Sequence, residues 1–157
     1  MLDEKFLEKW VKIIVPEEYG PDKDPAAGKS ILGIYIIPAD KMDNIKNSWY
    51  KDIPKDVKLF GQIIDIGEVL DLIGKKNTKL KGRYVIRLNE SQSEASGIFA
   101  LAHEVGHLYG LLTDDEGHKQ NQEEFADSYA FKRIIDTIDS SDLRFRVYIE
   151  AFLHERV

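Results

Sequence analysis

The sequence predicts an α+β fold, with strands gathered in the first part of the chain and helices after them. Three observations carry this: a β-branched run at Ile31–Ile37, two further short apolar runs near residues 58–65 and 84–88, and a switch to helical periodicity from Ser91 onward. With 157 residues, 43% of them apolar, the chain is expected to form one domain over residues 1–157.

Phe6, Trp10, Ile13 and Ile14 recur at helical spacing, so residues 3–14 read as an amphipathic helix closed by Pro16. Residues 16–29 are rich in Pro, Gly, Asp and Lys and read as a loop. Strands follow at Ile31–Ile37, at about Lys58–Asp65 and at Tyr84–Leu88, with short helices at 41–49 and 67–73 between them. Ser91 with Glu94 has the spacing of a capping box, and Ile98, Phe99, Ala102, Val105 and Leu108 line a helix that Gly110 is expected to stop. Asn121 with Glu124 starts the next helix, which runs to about Asp139, and Ser141 starts a last one.

Composition narrows the function classes. A formal net charge of -6 disfavours attraction to phosphate backbones or anionic membranes, so a protein or peptide is the expected partner, with no nucleic acid and no membrane. The basic stretch Lys75–Arg83 is short and reads as a solvated turn. Gly28-Lys29-Ser30 resembles the end of a phosphate loop, but Lys23 stands where its first glycine belongs, and a β-branched run follows where a helix is required. The amino-terminal residues alternate charge with apolar character and no stretch reaches the length of a membrane span, which predicts a cytoplasmic protein. Without cysteine, histidine and carboxylate are the ionic metal ligands that remain.

The chemistry concentrates in Phe99-Ala-Leu-Ala-His103-Glu104-Val-Gly-His107-Leu-Tyr-Gly110. Residues four apart on a helix share a face, so His103 and His107 can aim their imidazoles at one point, with Glu104 beside it. Zinc suits such ligands: catalytic sites use three protein ligands and leave a fourth position for water. Glu104 is then the general base for attack on a peptide carbonyl. The expectation is one Zn2+ per chain.

A third ligand must come from further along. Asp114, Asp115, Glu116, His118, Glu123 and Glu124 all follow within twenty residues. Glu123 is favoured because Asp127 lies one turn later on the same face, where it can accept a hydrogen bond from a ligand histidine. Ala126 and Ala130 are small enough for this helix to approach the first. A rival arrangement, HExxHxxG with a ligand three residues further on, meets Thr113 there, and its downstream methionine is missing because Met1 and Met42 both lie upstream. His118 is the alternative ligand under that reading. For stabilising an oxyanion, His118, Tyr109 and Tyr129 stand nearest in sequence.

HEVGH followed by Glu123-Glu-Phe-Ala-Asp-Ser-Tyr-Ala130 resembles the ImmA/IrrE metallopeptidases, whose pattern is HExxH and then a helix reading roughly E-x-E-A-N-x-F-A. Asp127 stands where that family often has Asn, and Phe125 where it often has a second Glu. The resemblance covers about residues 84–135. It implies a minimal zincin-like, gluzincin-type domain: a small mixed sheet on the HExxH helix, then a glutamate helix and a carboxyl-terminal helix. It further implies that the strand Tyr84–Leu88 is a sheet edge that aligns an extended peptide, and that the substrate is a regulatory protein such as a transcriptional repressor. An alternative is a catalytically inactive relative that keeps zinc for a regulatory or interaction role.

Overall fold

A computed structural model describes residues 1–21, 30–42, 58–72, 74 and 82–153. The elements, in order, are α1 (Glu4–Ile14), β1 (Ile31–Ile37), β2 (Gly61–Asp65), α2 (Ile66–Leu72), β3 (Tyr84–Asn89), α3 (Glu94–Leu112), α4 (Glu116–Gln120), α5 (Gln122–Thr137) and α6 (Ser141–Leu153). Single 3-10 turns lie at Glu17–Tyr19 and Ala39–Lys41. Most of the helix expected at 41–49, the Gly28-Lys29 pair and most of Lys75–Arg83 lie outside the described residues.

α1 starts where the Asp3 side chain accepts a hydrogen bond from Phe6 N, and it buries Phe6, Trp10 and Ile14, one per turn. The three strands form a mixed sheet in the order β1-β3-β2, with β1 parallel and β2 antiparallel to β3. β3 is therefore central. The expectation that Tyr84–Leu88 is a peptide-binding edge is overturned, because its main-chain groups are taken by strands on both sides.

Tyr84, Ile86 and Leu88 on one face of β3 belong to the hydrophobic core, and fully burying each such side chain contributes roughly 1.5–3 kcal/mol. The other face carries Arg87, which is buried and donates from Nη1 to Gln62 Oε1 at 2.7 Å and from Nη2 to the Lys41 carbonyl at 2.8 Å.

α3 is the hub, packed against β2, β3, α1, α4, α5 and α6. Such a helix must be apolar nearly all round. Fifteen of its nineteen residues are accordingly buried. Its cap is Ser93, whose side chain accepts from Ser96 N at 3.1 Å. Ser91, expected in that role, donates instead from both N and Oγ to Asn89 Oδ1 at 2.9 Å, so the turn after β3 competes for it. Buried Gln92 joins the pieces: Nε2 donates to the carbonyls of Phe60 and Asn89, and Oε1 accepts from Ser96 Oγ.

Gly110 does not stop α3, which continues to Leu112. The reversal comes at Asp114, with φ of 51°, and a short helix α4 follows, capped by Asp115. α5 begins as expected at Asn121, which accepts from Glu124 N at 3.1 Å. Among the described residues no helix is long and apolar enough to cross a membrane.

Candidate metal centre

His103 and His107 stand one turn apart on α3, both almost fully buried, with Nε2 atoms 3.1 Å apart. α5 delivers Glu123 to the same point: Oε2 lies 3.0 Å from His103 Nε2 and Oε1 lies 3.1 Å from His107 Nε2. The Glu123 side chain is 39% exposed as a whole, yet its Oε2 is buried. It enters from solvent and ends in the cluster.

Each imidazole is held from behind. His103 Nδ1 lies 2.8 Å from Asp127 Oδ1, and His107 Nδ1 lies 3.1 Å from His118 Nε2. The approach of α5 depends on Gly106 between the histidines, where a Cβ would stand 2.8 Å from the Ala126 carbonyl oxygen and 2.9 Å from its Cα. Glu104 is 1% exposed, and Gly61 of β2 leaves room for its carboxylate.

These donors fit a small divalent cation. A tetrahedral ion with ligands at about 2.0 Å has donor–donor edges of roughly 3.3 Å. Here the two Nε2 atoms are 3.1 Å apart, each lies 3.0–3.1 Å from a different oxygen of the Glu123 carboxylate, and one donor atom from each residue can be chosen so that all three lie within 4.8 Å of one another. The set His103, His107 and Glu123 can thus hold a metal ion.

The electrostatics agree. Burial opposes charge on His103, but hydrogen bonds with Asp127 and Glu123 and the field of Glu104 outweigh it, raising its pKa to about 10. At His107 burial and the neighbouring His103 prevail, and its pKa is lowered. Burial pushes the Glu123 carboxyl up, but the two imidazoles pull it down to about 2. The carboxylates around His103 thus favour a proton on its ring, while burial and His103 disfavour one on His107.

The remaining candidates go elsewhere. Tyr109, roughly 200° round α3 from His107, stacks on Tyr129 and Phe125 with centroids 5.3 and 6.1 Å apart. Together these rings line a groove of about 420 Å³ with Ser128, Lys132, Arg133 and Asp136, which includes neither metal-facing histidine. His118 spends its Nε2 on the back of His107, which places it away from the ligand position and from an oxyanion. Glu124 is tied to Asn121, and Asp114 and Glu116 are exposed partners of Lys119. Gly61 and Gly106 were not singled out by the sequence reading. The small residue inside HEVGH, opposite the small Ala126, was the signal available.

Residues 63–135 match the model of peptidase family M78, described as the IrrE N-terminal-like domain. This segment is similar to the IrrE N-terminal-like domain. It runs from β2 through α5 and contains His103, Glu104, His107, His118, Glu123 and Asp127. The IrrE N-terminal-like match starts earlier than the motif resemblance, taking in most of β2, whereas α1, β1 and α6 lie outside it. No curated protein and no solved structure gives a significant match to the chain.

Proposed function

We propose that the chain is a zinc-dependent metallopeptidase that hydrolyses peptide bonds of a protein substrate. The observation that supports this most strongly is the triangle of His103 Nε2, His107 Nε2 and the Glu123 carboxylate, with edges near 3 Å, beside a buried glutamate.

His103, His107 and Glu123 would hold the ion. Zinc, when bound there, supplies Lewis acidity toward a peptide carbonyl and lowers the pKa of a water to about 7. Glu104 is the general base: it takes a proton from the attacking water and returns it to the amine as the C–N bond breaks. Its burial keeps that carboxylate out of bulk water, where proton exchange would compete. Asp127 holds His103 in the tautomer that leaves Nε2 bare for the metal. A regulatory protein such as a repressor is the substrate class that the family resemblance supports.

The test is Glu104→Gln. Zinc content should stay at about one per chain while turnover falls by about 10²- to 10⁴-fold, and cellular fragments seen with the wild type should vanish from a proteomic comparison. Unchanged fragment patterns would favour the inactive, regulatory alternative.

A further inference from the structure

His118 has no part in the hydrolysis just described, yet it is one of the most carefully enclosed polar groups in the protein. Although it sits on a five-residue helix, it is 2% exposed. Its ring meets His107 at a centroid distance of 5.4 Å and Phe125 at 5.3 Å, each at 74°. The space for it exists because residue 110 is glycine: a Cβ there would overlap the His118 ring.

We propose that His118 is a positioning residue for His107, accepting a hydrogen bond from the His107 Nδ1–H and thereby keeping His107 Nε2 turned toward Glu123. This rests on the reading of the cluster as a metal centre. His107 Nδ1 and His118 Nε2, 3.1 Å apart on the side away from Glu123, are within hydrogen-bond distance, and such a bond needs one proton between them. His107 Nε2 lies in the donor triangle, and a nitrogen that binds a metal carries no proton, so the neutral ring has its proton on Nδ1. His118 must then present a bare Nε2 and keep its own proton on Nδ1.

The two ligand histidines are thus supported by different chemistry. Asp127 backs His103 with a full negative charge, whereas His118 backs His107 with a neutral acceptor. Orientation is secured without placing another carboxylate beside Glu104, Glu123 and Asp127. If His118 merely filled space, a leucine would serve equally well.

The experiment uses the full chain, stripped of metal and titrated with zinc in competition with a chromophoric chelator, alongside thermal melts of the metal-free form. His118→Leu should bind zinc about 10- to 100-fold more weakly. His118→Gln, whose amide oxygen can accept the same hydrogen bond, should recover most of the loss. Gly110→Ala should resemble His118→Leu in zinc affinity, even though alanine is the better helix former. In the zinc-loaded wild type, long-range 1H–15N spectra should show His118 as the Nδ1–H tautomer, a reading that does not depend on any variant folding. Wild-type affinity in His118→Leu, with zinc lost from His103→Ala, would overturn the positioning role alone, as would an Nε2–H tautomer at His118. Absence of zinc binding by the wild type would overturn the metal centre and this inference together.

Discussion

Asp127 Oδ1 lies 2.8 Å from Nδ1 of His103, one helical turn beyond Glu123, which faces the other nitrogen of the same ring. One face of α5 therefore grips both sides of a single imidazole. Asp127→Asn keeps an acceptor but removes the charge, and should weaken zinc binding about 10-fold; Asp127→Ala removes both, and should approach 100-fold. Chelator competition measures each value.

Without metal, the cluster should show its proton in the pH dependence of stability. The pKa of His103 is raised from 6.5 to about 10, so its contribution is fully present below pH 6.5 and is lost as pH rises through about 10. Glu123 is lowered from 4.5 to about 2, so its share is present above pH 4.5 and is lost as pH falls through about 2. Urea midpoints of the metal-free chain should accordingly decline between pH 6.5 and 10. Saturating zinc displaces the proton, and the decline should disappear.

Gly106→Ala places a methyl group against the Ala126 main chain, which has no side-chain freedom to give way. Helix propensity would favour the change by about 1 kcal/mol, but overpacking against backbone costs about 1–3 kcal/mol. The expected outcome is a less stable protein with reduced zinc affinity, since separating α5 from α3 withdraws Glu123. Denaturant unfolding and zinc titration check the two effects.

Gly61→Ala acts differently. A Cβ there would stand 3.1 Å from Glu104 Cγ and 3.2 Å from Oε1, so the flexible glutamate moves instead of the backbone. Under the proposed mechanism kcat should fall on the order of 10-fold, because the base is displaced from its working position. Zinc affinity should not change.

What could be read in the sequence was what depends on local period. α1, α3 and α5 repeat apolar residues at helical spacing, and β1 is rich in isoleucine with an aromatic, so their existence was legible. Strand order was not, because β1 reaches β3 across more than forty intervening residues and nothing in Tyr84–Leu88 distinguishes a central from an outer position. α4 is too short to show a period. Gly110 carried the usual mark of a helix end, but the glycine is explained by the ring packed over it.

The site divides in the same way. His103, Glu104 and His107 follow from one turn of helix, and Glu123 from its partnership with Asp127 four residues on. His118 arrives only because the chain reverses at Asp114 and folds α4 back over α3, a tertiary event with no local signature.

At Gly106 the backbone of α3 comes close to the main chain of Ala126 and to the Tyr129 Cβ, so this crossing has room for no side chain at position 106. Side chains at most helix crossings can be exchanged and repacked as sequences diverge, and the axes drift with them. Here the gauge at position 106 is largely the peptide backbone of α5, so the distance between the imidazoles of α3 and the carboxylate of α5 is fixed by a contact that exchange of side chains elsewhere on the two helices leaves in place.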